Sequence, residues 1–512
     1  MAALCSTADH DPQHHRPPKP MNRRAFLQTC GAGLAVVSLA RALPLRGASR
    51  IKLLLAGASK RRVTPPLAVP YLTSAANGTN APFQGLHDDL FARALVLDDG
   101  DQKLALLSVD AIGYDNSILG PRRDFTRELR RGIAAQTGLK PNAIMLAATH
   151  AHSAPETIGL TPFREMAGVA EWLDNHLQEL VETVVQAWKS RSPARAFAGA
   201  RQVEGIARYR RIVLKNGRLS VHGALPPPEQ VAVPWQLDEA LNLLWFERED
   251  GAPGAALMNY TAHPVVAMLL PQVCADYPGA AAAIVEQERP GAVCLFTNGA
   301  AGNINSVKVS TNFDDVAALG RKLGAAALDE IATLRAGPPL SDTGLEVRSE
   351  RIELAPRPCP PPAQVLKAAS PNAIGKDGTL TRLALKLAQG KVRGEIQAMR
   401  IGPVRWIALP GEAFVEMGLA LKQAGATFVV GYANGYLGYF PIRHAYDEGG
   451  YEVIEGAWSR VAPGSAERLQ TLGARLLRRL GEHPREPKQL GKSAEESGLA
   501  GTLALPGSAL NT

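Results

Sequence analysis

An α/β fold built of mixed β-sheets with covering helices is predicted by two features of this chain. Apolar strand-like runs alternate with amphipathic helical stretches, and five of those runs end in polar motifs punctuated by Gly or Pro. Residues 92–97 and 103–109 flank Asp98-Asp99-Gly100-Asp101, a strong hairpin signal. A charged helical stretch over 121–135 follows and stops at Gly138, after which an apolar strand over 143–148 delivers Thr149 and His150. In α/β sheets the C-terminal ends of strands gather ligands, because loops there carry polar groups over a rigid core. The layout recurs: 254–260 leads to His263, 293–297 to Asn298-Gly299-Ala300-Ala301-Gly302, 404–409 to Glu412, and 427–430 to a tyrosine-rich loop. Helices over 314–334 and 465–480 are expected to cover the sheets, and 357–362 is a Pro-rich break.

The N-terminus carries Asn22-Arg23-Arg24-Ala25-Phe26-Leu27-Gln28, a twin-arginine pattern, then an apolar run over 31–43 and small residues up to Ala48. That run is too short to span a bilayer comfortably. Residues 1–48 therefore read as a cleaved export signal handled by the twin-arginine translocase, with an uncleaved anchor as the alternative. Cys30 precedes the apolar run, which argues against a lipoprotein anchor, and Met21 is an alternative start to Met1. Periplasmic or extracellular location follows. Residues 49–483 are then one catalytic domain, and 484–512, polar and rich in Gly and Ser, a disordered tail.

The formal charge of +8 comes from 56 basic and 48 acidic residues, and the signal, with six basic residues against two acids, supplies half of it. No basic tract interleaved with aromatics occurs, so nucleic acid is not an expected partner. Of five cysteines, Cys274, Cys294 and Cys359 follow the signal and none forms a CxxC pair. A thiolate metal site is therefore not indicated, and Cys274 and Cys294 read as small buried apolar groups.

His150 and His152 stand two apart in Thr149-His150-Ala151-His152-Ser153-Ala154-Pro155. On an extended strand such a pair points to opposite sides, so one is expected to bind an ion and the other to face substrate. The plainer reading of either is a hydrogen-bonded core or loop histidine. Asn259-Tyr260-Thr261-Ala262-His263-Pro264 places another imidazole at a strand terminus. Glu412 opens the helical run 413–421, where the plain reading is a first-turn acid favoured by the helix dipole. Loop 431–441 concentrates tyrosines, Tyr439 among them, in a chain with ten. If His150, His263, Glu412 and Tyr439 converge, they close one zinc site of an exported hydrolase.

Taken jointly and in order, these segments resemble the neutral ceramidase family, zinc-dependent amidases that cut the N-acyl bond of ceramide. The resemblance runs from Val63-Thr64-Pro65-Pro66-Leu67 through Gly85-Leu86-His87-Asp88-Asp89-Leu90 and the His150 motif. It continues through Ala262-His263-Pro264, Ala275-Asp276-Tyr277-Pro278-Gly279, Asn298 to Asn305, Pro410-Gly411-Glu412 and the loop to Tyr451. It implies a neutral-ceramidase-like catalytic domain, expected here without the family's C-terminal β-sandwich. It also implies Zn2+ held by His150, His263, Glu412 and Tyr439. His152 falls on the family's substrate-contacting histidine, Tyr451 on a second active-site tyrosine, and Arg210 on its substrate-contacting arginine, with Arg211 as competitor.

A phenol ionises near pH 10, so Tyr439 as a ligand needs the cation to lower its pKa or binds neutral. Asp276 is expected either to orient a ligating histidine or to cap a helix. The implied substrate is a small lipid-like molecule or N-acyl amine, with peripheral contact to a membrane surface. Two departures bear on it: Gly302-Asn303-Ile304-Asn305-Ser306 lacks the family's Asp and Ser-Pro, and Ala154 replaces a common glycine. Amide hydrolysis is thus implied more firmly than ceramide itself. The alternatives are a metal-dependent esterase or phosphoesterase, with Arg210, Arg211 and Arg443 as phosphate clamps, and a non-catalytic extracytoplasmic binding protein.

Overall fold

A computed structural model describes residues 53–77, 79–221, 225–358, 390–454 and 456–482. The segments expected to be an export signal and a C-terminal tail, Cys359 and the end of the Pro-rich break lie outside these residues.

In chain order, β1 (Leu55–Arg62) and β2 (Gly85–Leu86) precede the hairpin of β3 (Phe91–Asp98) and β4 (Lys103–Val109). Next come α1 (Phe125–Thr137), β5 (Ile144–Ala148), α2 (Val169–Lys189) and β6 (Ser192–Gln202). Short strands β7 (Ala207–Tyr209), β8 (Arg211–Val213) and β9 (Leu219–Val221) lead to β10 (Ala240–Arg248) and β11 (Pro253–Tyr260). Then follow β12 (Gln272–Val273), α3 (Asp276–Glu288), β13 (Val293–Asn298), β14 (Ile304–Ser306) and α4 (Phe313–Arg335). The remainder holds β15 (Leu345–Leu354), β16 (Val392–Ile401), β17 (Val404–Ala408), β18 (Glu412–Ala413), α5 (Val415–Gln423), β19 (Phe428–Val430), β20 (Tyr439–Phe440) and α6 (Ser465–Arg479).

The mixed α/β prediction holds. One sheet of eight strands runs β13-β11-β10-β6-β1-β3-β4-β5, and a second runs β15-β16-β17-β19. Strand alternation sorts the side chains into layers. Ala92, Ala94 and Val96 face a core shared with α1 to α4, whereas Leu95 and Leu97 face Trp406, Phe428 and Met399 of the second sheet. The second sheet turns Ile396, Ala398 and Ile407 outward under Met417 and Leu421 of α5 and Leu469 and Leu476 of α6. The layers therefore run helix, sheet, sheet, helix.

Local signals explain the ends of α1. It begins at Phe125, later than the charged stretch suggested, because the Asp124 side chain caps the Arg127 N–H at 2.8 Å, and it ends at Gly138, whose φ is 72°. The pairings β4/β5 and β11/β13 are parallel and the others in the large sheet antiparallel. By this pairing the ends of β1, β4 and β5 and the start of β3 share one edge, and the ends of β6, β11 and β13 and the start of β10 share the other. Loops 63–90 and 149–168 rise from the first edge and 203–239, 261–275 and 299–312 from the second, and the two groups meet where Asn298 bridges Thr149 O and Ala262 O.

His176 of α2 is buried beneath these loops, with Nε2 2.7 Å from the Tyr114 hydroxyl, Trp172 stacked on it, and Nδ1 3.9 Å from a Glu179 carboxylate oxygen. Burial holds its imidazole down at about 4. An unfolded histidine titrates near 6.5, so between these values the unfolded chain binds the extra proton. This contribution to stability is complete above pH about 6.5 and is lost as pH falls toward 4, by up to about 3 kcal/mol. His176→Gln is expected to flatten that part of a pH–denaturation profile; an unchanged slope would assign the titration to another group.

Candidate metal centre

β5 runs parallel to β4 and hands over to a turn in which Thr149 N–H binds Val109 O at 2.9 Å and His150 N–H binds Ala111 O at 2.8 Å. His150 has φ 70°, in the left-handed region. The backbone is therefore not extended there, and the expectation that His150 and His152 face opposite sides is overturned. His152 Nε2 returns to 3.3 Å from His150 Nε2. A left-handed non-glycine residue costs about 1–3 kcal/mol and persists only where its surroundings over-determine it. Here the His150 ring stacks on Tyr432 at 3.8 Å between centroids, and Tyr432 itself has φ 54°.

β11 delivers His263 on the neighbouring loop. Asn298, paired with Tyr260 at the end of β13, donates from Nδ2 to Thr149 O at 3.1 Å and to Ala262 O at 3.0 Å. One amide thus straps together the residues immediately before His150 and His263. Tyr277 adds a 2.7 Å hydrogen bond from its hydroxyl to Ala262 O. Asp276 does not orient a histidine directly: its Oδ2 accepts the Ala267 N–H at 3.0 Å, fixing the turn after His263 through the backbone, and its Oδ1 caps the first-turn Tyr277 N–H of α3 at 2.7 Å, although Ala275 holds the N-cap position.

Glu412 arrives by a different route. It sits in β18, parallel to β20 with Glu412 opposite Tyr439, and α5 begins only at Val415. The plain reading of Glu412 as a first-turn helical acid is therefore corrected. Gly302 permits the approach: a Cβ there would lie 2.6 Å from Glu412 O, and its N–H binds Ala413 O at 2.8 Å.

The donors meet in a buried space. Glu412 Oε2 lies 3.0 Å from His263 Nε2 and 3.4 Å from His150 Nε2, and Oε1 accepts the Tyr436 hydroxyl at 2.5 Å. The Nδ1–H of His150 is held by Ile112 O at 2.5 Å; that of His263 is shared by Ala301 O at 2.6 Å and Ile304 O at 3.0 Å. These carbonyls fix the tautomer, so both Nε2 lone pairs point toward the Glu412 carboxylate. Burial, reinforced by the Arg210 charge, holds His263 down at about 4. Burial and the His150 and His263 rings likewise keep His152 well below the imidazole range. Burial alone would raise the Glu412 carboxyl, but the imidazoles facing it hold it well below its usual range.

Three buried acceptors converging in this way repel unless a proton or a cation lies among them. Two neutral imidazoles and a carboxylate suit a zinc-like ion, for which tetrahedral ligands at about 2.0–2.1 Å stand about 3.3 Å apart. The residues present therefore fit the metal that the sequence suggested. Ligand atoms of His150, His152 and His263 also lie within 4.8 Å of one another.

Tyr439 is buried beside this cluster, with its hydroxyl accepting from Arg210 Nη2 at 3.1 Å. Burial and the Glu412 charge push its phenol well above the usual range. The remaining nitrogens of Arg210 bind Glu452 at 2.9 Å and Asn305 at 3.0 Å, and Nη2 also binds Gly302 O at 2.6 Å. Burial opposes its charge, but Tyr439 and Glu452 more than offset that and hold the guanidinium protonated. Arg211 points elsewhere, onto Glu452 at 2.6 Å, Glu448 at 3.1 Å and the carbonyls of Ala445 and Gly449. Tyr451, 38 % exposed, stacks on Trp458 at 4.9 Å and meets Tyr439 edge-on at 5.9 Å between centroids.

Sequence reasoning missed Tyr432, Tyr436 and Glu452 as individual partners. The tyrosine density of loop 431–441 was the only signal for the first two, and nothing local marks Glu452 as the acid bridging Arg210 and Arg211. Asn303 stands where the family's carboxylate was expected, and both ends of its amide serve α5: Oδ1 accepts the Val415 N–H at 2.8 Å and Nδ2 donates to Glu416 at 2.9 Å. Tyr436→Phe is expected to weaken metal binding about 10–100-fold while the fold persists, because Glu412 loses the hydroxyl that orients it. Competition with a chelator measures this, and unchanged affinity would show that the hydroxyl does not orient the carboxylate.

Fold and site together define a mixed α/β protein with a buried His/Glu cluster at the C-terminal ends of parallel strand pairs. No family model matches the sequence, and no curated protein matches it. Solved structures do match, and the chain has a neutral-ceramidase-like fold. Neutral ceramidase from Pseudomonas aeruginosa superposes with a TM-score of 0.64 at 20% identity, over 84% of this chain and 74% of that one. A ceramidase complexed with C2 gives a TM-score of 0.64 at 19% identity, over 84% and 75% of the respective chains.

Proposed function

We propose that this protein is an exported, zinc-dependent hydrolase that cleaves the N-acyl amide bond of ceramide or a related N-acyl lipid or amine. The observation that carries the reading is the convergence of His150, His263 and Glu412 on one buried point beside the Arg210–Tyr439 pair, within a neutral-ceramidase-like fold. His150, His263, Glu412 and Tyr439 would hold the ion, which when bound lowers the pKa of water toward neutrality and polarises a carbonyl. Arg210, rigidly held and protonated, orients the Tyr439 phenol and stabilises negative charge developing on the substrate carbonyl oxygen. Tyr451, reachable from solvent, donates to the same oxygen. His152, neutral and joined at Nε2 to the cluster, moves a proton to the leaving amine.

The exposed large apolar residues support a lipid-like substrate and peripheral contact with a membrane surface. Leu86, Leu225, Leu269 and Val309 stand on the segments between β1 and β3, β6 and β10, β11 and α3, and β13 and α4, Tyr451 and Ile454 follow β20, and Leu53 precedes β1. No helix among the described residues is long and apolar enough to cross a membrane. Export rests on the twin-arginine pattern alone.

Phosphoester cleavage is the weaker alternative, because it needs a cationic clamp beyond Arg210, and Arg211 is committed to Glu452, Glu448 and the carbonyls of Ala445 and Gly449. Assays of zinc-loaded protein on ceramide, other N-acyl amines, acyl esters and phosphoesters test the reading. Amide cleavage is expected, and turnover confined to esters or phosphoesters would overturn it. A folded protein that binds no metal under any loading condition would favour a binding module.

A further inference from the structure

A second group of metal-compatible side chains lies where the segments following β1 and β11 meet. His87, Asp88 and Cys274 each offer one ligand atom, and these atoms all fall within 4.8 Å of one another. The backbone explains why they meet. β2 pairs in parallel with β12, Leu86 opposite Val273, and the N–H groups of His87 and Asp88 both reach Val273 O, at 3.0 and 3.3 Å. The residues just after each strand are thereby brought side by side across a long stretch of sequence.

Their present contacts are hydrogen bonds within the cluster and to backbone, and one ring stack. Asp88 Oδ2 lies 2.6 Å from His87 Nδ1, Asp88 Oδ1 accepts the Ala275 N–H at 2.6 Å, and the His87 ring stacks on Phe313. Buried Asp276 follows two residues after Cys274, and its N–H reaches Cys274 Sγ at 3.2 Å. Among the described residues, neither Asp88 nor Asp276 is paired with Lys or Arg, and His87 is the basic group facing Asp88. The His87 and Asp88 side chains are 36% and 38% exposed while Cys274 is buried, which gives an ion a way in from solvent and shields the sulfur.

We propose that His87, Asp88 and Cys274 form a second, structural site for a borderline-soft divalent ion of the zinc type. One imidazole, one carboxylate and one thiolate suit such an ion, with water completing the set. Binding replaces the S–H bond of Cys274 by a sulfur–metal bond and releases the proton to solvent, with no change of oxidation state. The ion clamps β2 to the segment entering α3. Because Cys274 N–H binds Ser153 O at 3.1 Å, it also braces the loop that carries His150 and His152. The inference does not rest on the proposed function, since none of these three side chains belongs to the His150–His263–Glu412 cluster. It also revises the sequence-based view of Cys274 as an apolar filler.

Cobalt(II) is the probe, added to chelator-treated, full-length protein, because a thiolate–cobalt bond gives a charge-transfer band in the near ultraviolet that imidazole and carboxylate ligands do not. Wild-type protein is expected to show the band and to bind one equivalent more than Cys274→Ser or His87→Ala, both of which lose it. His87→Ala changes a half-exposed ring and guards against misfolding of the cysteine variant, with near-ultraviolet circular dichroism reporting the fold. Cys294→Ser, altering a buried cysteine flanked by Arg93 and Glu286, keeps the band. His263→Ala keeps it too while losing the other equivalent, so failure of the hydrolase reading and failure of this one are separable. A wild-type protein without the band, or a band that survives Cys274→Ser, overturns the proposal.

Discussion

His263→Ala is expected to strip metal and turnover together. Orienting partners outside a metal's ligands typically cost 10–100-fold, so loss of a ligand itself should exceed about 100-fold in affinity and activity. The structure gives the reason. His263 is fully buried, its Nδ1–H satisfies two carbonyls, and its Nε2 stands 3.0 Å from Glu412. Removing the ring leaves Glu412 with one facing imidazole in place of two. An uncompensated buried charge costs about 3–5 kcal/mol, so thermal stability should fall as well. Elemental analysis after dialysis, set beside kcat on the same sample, measures both effects. Full metal content with impaired turnover would place His263 outside the ligand set.

His152→Ala is expected to behave in the opposite way, keeping its metal while turnover falls by about 10²–10⁴-fold, the usual worth of a positioned proton carrier. A ligating histidine normally has its second nitrogen held by a carbonyl or carboxylate. His150 and His263 are held in this way, whereas the hydrogen bond described for the His152 ring is the 3.3 Å contact with His150 Nε2. His152 is also less deeply buried than the other two. Retained metal with full activity would remove His152 from the chemistry. Metal lost in proportion to activity would make it a ligand, a role the left-handed turn at His150 leaves within reach.

The turn at His150 illustrates the limit of reading side-chain direction from spacing. The period-two rule holds while the backbone is extended, and one residue at φ 70° reverses it. Glu412 illustrates another limit. Residues 413–421 do carry helical character, but two residues before the helix are drawn into a bridge with β20, which lies beyond any local window. The choice between Arg210 and Arg211 turns on one step of alternation: Arg210 reaches Tyr439, and Arg211 anchors the loop around Glu448. Asn303 is a case where a departure from the family pattern finds a structural use, since its amide donates to Glu416, where a carboxylate would face another carboxylate.

By itself the sequence left β1, α2, β6, β10, α3, β15 and β16 unmarked, but it determined the strands that lead into the site motifs, the helices α1, α4, α5 and α6, the hairpin at Asp98-Asp99-Gly100-Asp101, the Gly138 stop and the motifs that carry the imidazoles and the carboxylate. These depend on hydrophobic periodicity and turn chemistry, which act over a few residues. Only the tertiary structure decided that His263 and Glu412, 149 positions apart, touch, which tyrosine holds the carboxylate, and that His152 joins the cluster. Those outcomes rest on parallel pairing, on an asparagine strapping two loops and on burial that excludes water, and such forces exist only once distant segments have packed.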